Sequence, residues 1–350
     1  MTRHNHHKNE SSIIQVPLYN NSKMYFNTAF VFLFGVNSVY SKGGKSKDGR
    51  FKNRPKSPKS RSKVYLALGD AIPAGTRNIS PPAGLMMTPF GEVNYANILN
   101  QLLGERGFDQ IINLSCPQET TGMMLDGNAV TTTYKDGSLC YGDNAPFASN
   151  FYLSRNRSSQ LQAAKYIFAN YDVGLVTITL GSSDPILNCF STTITGAEFV
   201  TCANNQNEIV KTNLKYIINE LTSWDPSIPI LVSNTFAPVL GFKLPGAPKS
   251  LKDNAEIYIT ANFGLNDAIA NAVASFQGEN IVFVDLESAF NARDFSGTPS
   301  KNVVTLCETT YICTEDTNGN WIYDNNSDRV FNDIGHQTSA ITFYHALGKI

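Results

Sequence analysis

Five short apolar runs alternate with longer helix-like segments between residue 64 and the C-terminus, and this alternation constrains the fold more than any other feature of the sequence. The runs are predominantly apolar, as in strands buried on both faces, and they cover residues 64–68, 111–115, 175–180, 230–233 and 281–286. The intervening segments repeat apolar residues at steps of three and four, which is typical of helices with one buried face. These segments cover residues 94–106, 158–171, 207–223 and 255–276, and a last one lies near 337–347.

Strands that alternate with helices form parallel sheets that are covered on both sides. We therefore predict an α/β domain built on a doubly wound, flavodoxin-like, five-stranded parallel sheet with helices on both faces. In such sheets ligand sites lie at the carboxyl ends of the strands. The residues that follow the apolar runs are therefore the first candidates for a functional site.

Charge divides the chain into two unequal parts. Residues 1–63 contain thirteen Lys and Arg residues against Glu10 and Asp48, a net charge of +11, whereas residues 64–350 carry −12. Ten of the basic residues lie in 42–63 among Gly, Ser and Pro, and this composition predicts a disordered basic linker because little apolar surface offsets the entropy of ordering. The linker either tethers the chain to an anionic surface or is simply solvated. The acidic body has no basic patch, so no nucleic-acid partner is expected.

The N-terminal segment contains one apolar run, residues 29–36, which is too short to span a bilayer. It suits the core of a signal peptide, with Lys23 upstream and cleavage after Ser41. We therefore divide the chain into residues 1–41 with a signal peptide, the linker 42–63 and a single domain, 64–350. This division predicts a secreted or cell-surface protein.

The six cysteines fall into three pairs that are close in sequence: Cys116 and Cys140, Cys189 and Cys202, Cys307 and Cys313. Spacing alone cannot choose among the 15 possible connectivities. Local disulfides in an oxidising compartment are the favoured interpretation, and buried free thiols are the alternative. No pair has the spacing of a zinc site, and residues 316–320 lack the closing Glu of a calcium loop, so we expect a polar turn there and no metal.

The first apolar run leads directly into Gly69-Asp70-Ala71. Here the chain resembles the SGNH/GDSL hydrolase family, whose first block is a strand followed by G-D-S-x-x-x-G with a nucleophilic serine. That serine is exposed at a strand-to-helix turn, where a histidine can take its proton. In this chain Ala71 occupies the position of the nucleophile.

The resemblance extends over roughly residues 64–350 through three further blocks. Residues 113–121 resemble the second block, whose glycine contributes a backbone N–H to the oxyanion hole and aligns with Gln118. Residues 180–184 resemble the third block, G-x-N-D, whose oxyanion-binding asparagine aligns with Ser183. Asp333-Ile-Gly-His336 matches the D-x-x-H block, which supplies the orienting acid and the general base.

Three of the four name-giving positions have therefore changed together, and a methyl group at position 71 cannot attack a carbonyl. We predict a catalytically inactive pseudo-esterase that binds a small acyl, lipid, ester or glycan ligand, needs no cofactor and is a monomer. The alternative is a residual carboxylic-ester hydrolase in which His336 and Asp333 act with water or with a substitute serine. Among the substitute serines Ser183 is the favoured candidate, because its loop borders the cleft.

Overall fold

The computed structural model describes residues 63–74, 77–79, 86–88, 94–126, 159–189, 196–276, 280–324 and 331–349. All of them belong to one compact unit, Ser57–Ile350. The predicted signal peptide, linker residues 42–62 and Cys140 lie outside the described residues. Within the described ranges no helix combines the length and the apolarity that crossing a membrane requires.

The central feature is a parallel sheet of five strands, as predicted. The strands of the described chain are β1 Lys63–Gly69, β2 Arg77–Ile79, β3 Met86–Thr88, β4 Phe108–Asn113, β5 Val173–Thr179, β6 Ile230–Ser233, β7 Ile281–Val284, β8 Cys313–Glu315 and β9 Trp321–Tyr323. The sheet order is β4-β1-β5-β6-β7, and every neighbouring pair is parallel. This is the flavodoxin-like order, which brings the carboxyl ends of β1, β4 and β5 together.

Helices connect these strands, and side chains cap several of them. The helices are α1 Ala71–Ala74, α2 Tyr95–Leu103, α3 Thr121–Asp126, α4 Gln160–Asn170, α5 Ser183–Cys189, α6 Gly196–Trp224, α7 Lys249–Asp253, α8 Ala255–Ala274, α9 Leu286–Ala289, α10 Lys301–Thr309 and α11 Asp333–Leu347. Ser159 caps α4 by accepting a hydrogen bond from the backbone N–H of Gln162 at 3.2 Å.

Helices cover both faces of the sheet, because alternate side chains of each strand point to opposite sides. Leu66 and Leu68 of β1 pack in a core with α4, α6 and α8, whereas Tyr65 and Ala67 pack in a second core with α2 and α11. Each fully buried leucine contributes about 1.5–3 kcal/mol of transfer free energy. The two cores hold β1 at the centre of the molecule and fix the position of its carboxyl end.

The structure adds elements that periodicity does not reveal. Helix α6 begins eleven residues before the predicted segment, and the last helix begins at Asp333. Two antiparallel hairpins, β2–β3 and β8–β9, lie outside the central sheet. The second hairpin contains the predicted polar turn, in which Asp316 Oδ1 accepts hydrogen bonds from the backbone N–H groups of Asn318 and Asn320 at 2.8 and 2.9 Å.

Two of the predicted local disulfides are present. Cys189 is bonded to Cys202 between α5 and α6, and Cys307 is bonded to Cys313 between α10 and β8. Cys116 is also disulfide-bonded.

Candidate functional site

The turn that follows β1 is built around Gly69. Its φ angle is +137°, and a Cβ atom there would clash with the carbonyl group of Thr179, so only glycine fits. The side-chain amide of Gln160 holds this turn on both sides: the Gly69 N–H donates to Oε1 at 2.7 Å, and Nε2 donates to the Gly69 carbonyl at 3.1 Å. The turn then leads into α1, which begins at Ala71.

Asp70 is fully buried directly after β1. Its Oδ2 accepts a hydrogen bond from the Ser182 hydroxyl at 2.5 Å, and its Oδ1 accepts one from the Ile72 N–H at 3.2 Å. Burial raises the pKa of Asp70 to about 6, although these hydrogen bonds act in the opposite direction. The carboxyl group therefore joins the first block to the third.

Gln118 lies beside the same turn. The pairing of β4 with β1 continues beyond the strands, because the Leu114 N–H donates to the Ala67 carbonyl at 2.9 Å and the Cys116 N–H donates to the Gly69 carbonyl at 3.0 Å. Gln118 has a φ angle of +63°, in the left-handed region that favours glycine. The backbone at the position of the family's glycine thus has a glycine-like conformation, although the residue is not glycine.

The loop after β5 contains Ser183, which is buried at the first position of α5. The next residue, Asp184, is buried as well and accepts hydrogen bonds from the Thr121 N–H at 3.0 Å and from the Thr121 hydroxyl at 2.6 Å. The side-chain amide of Asn213 donates to the same hydroxyl at 2.9 Å. Burial, with a smaller contribution from the charge of Asp70, raises the pKa of Asp184 to about 7. This carboxyl group therefore connects the segment after β5 to the segment after β4.

His336 lies in the first turn of α11 and is only 3% exposed. Its ring stands edge-on to Phe331, with ring centroids 5.6 Å apart. Phe331 in turn packs against Phe236, just beyond β6, and Phe290, at 4.4 and 4.7 Å. Through these rings His336 is connected to the carboxyl end of β6. Because only β5 separates β6 from β1, the ends of these two strands lie about 10 Å apart.

Asp333, the predicted partner of His336, is exposed at the start of α11. The structure thus brings the first three blocks into hydrogen-bonded contact and places the fourth in the first turn of α11, where His336 packs against Phe331. Among the described residues, no group of three or more His, Cys, Asp or Glu side chains could hold a metal ion.

The sequence did not reveal that four polar residues brace these loops, namely Gln160, Thr121, Ser182 and Asn213. Gln160 lies in the segment before the third strand, and its contact with Gly69 spans 91 residues of sequence. The local signal for this contact is weak: Gln160 is a polar residue that immediately follows the helix cap Ser159.

No protein-family model matches this chain, and no curated protein matches it. Three solved structures with similar folds illustrate the comparison. A putative GDSL-like lipase from Parabacteroides merdae is 13% identical, with a TM-score of 0.44, and the match covers 82% of this chain and 96% of that one. Phospholipase A1 from Streptomyces albidoflavus is 12% identical (TM-score 0.45; 81% and 99% covered). The extracellular lipase from Streptomyces rimosus is 15% identical (TM-score 0.46; 81% and 99% covered). At these identities the similarity is one of fold.

Proposed function

We propose that the chain is a secreted protein that binds an acyl, lipid or glycan ligand at the strand ends and does not hydrolyse it by the family's reaction. The observation that carries this proposal is the turn after β1. Gly69 and Gln160 fix the turn that follows β1, and the residue at the nucleophile position of the resemblance is Ala71. A methyl group cannot form the acyl intermediate.

The oxyanion positions support the same proposal. The left-handed conformation of Gln118 is one that glycine favours, and Gln118 retains a backbone N–H. The Ser183 hydroxyl, however, is a shorter donor than the asparagine amide that it replaces. Removing one oxyanion donor costs a factor of about 10²–10³ in turnover, so even a new nucleophile at position 71 would act in a weakened site.

The choice of an acyl ligand rests on the resemblance of the four sequence blocks to those of ester hydrolases. Phe331, Phe236 and Phe290 belong to the buried core behind the His336 ring and support that ring from within the domain.

The test compares binding with turnover for one probe, p-nitrophenyl butyrate. Saturation-transfer NMR measures its binding, and release of p-nitrophenol measures hydrolysis. We expect binding by the native chain with no more p-nitrophenol than the Ala71→Gly variant releases, since neither has a hydroxyl at position 71. Turnover by the native chain that His336→Ala abolishes would refute the proposal.

A second candidate function is slow ester hydrolysis with Ser182 as a substitute nucleophile. The specific observation in its favour is the 2.5 Å hydrogen bond from the Ser182 hydroxyl to Asp70. Ser182 is partly exposed, whereas Ser183 is buried. The pKa of Asp70, raised by burial to about 6, gives its carboxylate a basicity close to that of histidine. Asp70 would take the hydroxyl proton as the Ser182 oxygen attacks the ester carbonyl, and would pass that proton to the alcohol as its C–O bond breaks. Water would then attack the acyl-serine, which releases the carboxylic acid and restores the Ser182 hydroxyl.

Fluorophosphonate labelling with peptide mapping separates the two candidates. Labelling that Ser182→Ala removes and the matched Ser183→Ala variant keeps would establish the second candidate. A chain that stays unlabelled leaves the non-hydrolytic function as the better account.

The secreted location and the basic arm are parts of the same proposal. Residues 42–63 carry ten Lys and Arg residues, which would hold the domain at an anionic surface. Co-sedimentation with vesicles of 30% phosphatidylserine should fall to the level seen with neutral vesicles when residues 42–62 are deleted. Unchanged sedimentation would leave the segment as a solvated linker.

A further inference from the structure

The loop closed by the Cys307–Cys313 disulfide forms the surface on which the histidine-bearing helix begins. The two cysteines are only six positions apart in sequence. Phe331 forms an antiparallel bridge with Thr310, and the Asn332 N–H donates to the Thr309 carbonyl at 3.0 Å. The chain therefore pairs with the disulfide loop immediately before α11 starts.

The Asn332 side chain connects that loop to the helix. Its Oδ1 accepts a hydrogen bond from the Gly335 N–H at 3.1 Å and so caps α11. Its Nδ2 donates to the Glu308 carbonyl of the disulfide loop at 2.8 Å. The Asn332 carbonyl accepts the His336 N–H at 3.0 Å. One residue thus holds both the loop and the first turn that carries His336.

Gly335 brings the helix into direct contact with the loop. A Cβ atom at this position would clash with the Thr309 carbonyl and with the ring of Phe331. On its other side the loop is fixed by Ile312, which is fully buried against Gly241. The first turn of α11 therefore rests on a segment that is itself held in place.

We infer that Asn332 and the disulfide-closed loop 307–313 together position His336, with Asn332 as the positioning residue that links them. The disulfide keeps the end of α10 next to β8, and this limits the movement of the carbonyl groups that Asn332 contacts. The rest of α11 is held independently, because Ala340 and Phe343 are buried in the core. Loss of the Asn332 contacts or of the disulfide should therefore loosen the first turn of α11 and leave the remainder of the helix in place. That this positioning matters for ligand binding rests on the proposed function. The effect of Asn332 and the loop on the His336 turn does not depend on that function.

The test uses two readouts that need no ligand. Diethylpyrocarbonate modification, mapped by mass spectrometry, compares buried His336 with exposed His345 on the same helix. Amide hydrogen exchange compares Gly335 and His336 with residues 340–346. In Asn332→Ala, and in the double variant Cys307→Ser/Cys313→Ser, we expect His336 modification and first-turn exchange to rise about tenfold, the size of effect that loss of a helix cap produces.

The matched control is the double variant Cys189→Ser/Cys202→Ser, which removes the other described disulfide from a separate apolar cluster. In this control His336 and His345 should both stay within about twofold of the native rates. An equal rise in the control, or a rise that extends over all of α11, would mean general destabilisation and would overturn the inference. If the Cys307→Ser/Cys313→Ser variant does not fold, Asn332→Ala decides the test alone.

The conservative variant Asn332→Asp separates positioning from capping. It keeps an oxygen for the Gly335 N–H but loses the N–H that reaches the Glu308 carbonyl. We expect Gly335 exchange near the native rate and His336 modification still about tenfold faster. Full restoration of both rates would reduce Asn332 to a helix cap and refute its link to the disulfide loop.

Discussion

Replacing Asp184 with asparagine should change how the stability of the domain depends on pH. Asp184 is buried between the second and third loops, where Thr121 donates both its N–H and its hydroxyl to the carboxyl group. An asparagine has nearly the same shape and keeps an acceptor for the Thr121 hydroxyl, but it cannot ionise. The substitution therefore removes one charge and little packing.

The magnitude follows from the raised pKa. Burial raises the pKa of Asp184 from 3.8 to about 7, so the folded state favours the protonated form. The stability that this preference contributes is complete below about pH 4 and is lost as the pH rises to about 7, because the unfolded chain releases the proton first. The difference between the two pKa values, 3.8 and about 7, corresponds to about 4 kcal/mol of unfolding free energy. Relative to the native chain, Asp184→Asn should therefore gain about 4 kcal/mol between pH 4 and pH 8.

Urea unfolding followed by tryptophan fluorescence at intervals from pH 4 to pH 8.5 measures this difference. The matched control is Asp109→Asn, which removes an exposed carboxylate from β4. We expect the control to follow the native curve within about 0.5 kcal/mol. If the difference between Asp184→Asn and the native chain does not change with pH, the buried carboxyl group is not protonated in the folded state and the reasoning fails.

Three further substitutions test the strand-end turns. Gly69→Ala should lose more than about 3 kcal/mol of unfolding free energy, because its Cβ clashes with the Thr179 carbonyl; a Tm within a few degrees of native would contradict this. Gln118→Gly should gain about 0.5 kcal/mol in urea unfolding, since glycine adopts the left-handed region without strain, whereas a clear loss would show that the Gln118 side chain makes a stronger contribution. Ala71→Ser should regain little p-nitrophenyl ester turnover by itself, and adding Ser183→Asn should raise that turnover roughly 10²–10³-fold; equal rates in the two variants would show that Ser183 already serves the oxyanion.

The sequence was sufficient for the sheet because the signal is local. The central runs, such as 230–233, are buried on both faces and so need no polar alternation. Helix α6 was predicted too short because residues 196–206 mix polar and apolar side chains and bury only Phe199 and Ala203 beside the Cys189–Cys202 disulfide. In that segment a contact between elements, and not periodicity, sustains the helix.

In the candidate site, too, some residues could be predicted from local patterns and others could not. Gly69 and Ala71 could be recognised from adjacent residues, because a strand that runs into a tight turn is a local pattern. Gln160 and Asn332 could not, since their partners lie 91 and 24 residues away in sequence. Hydrogen bonds of this range depend on how the helices pack, and no spacing rule within one element encodes them.

The strand-end loops keep their shape for reasons that do not involve a nucleophile. The left-handed conformation of Gln118 costs about 1 kcal/mol without glycine, and this cost persists only where surrounding contacts impose it. Those contacts are the bonds from Ser182 to Asp70 and from Thr121 to Asp184, together with the strand pairing that extends to Cys116. None of them uses the side chain at position 71. The strand-end turns therefore do not depend on a hydroxyl at position 71, which is compatible with the proposed binding function.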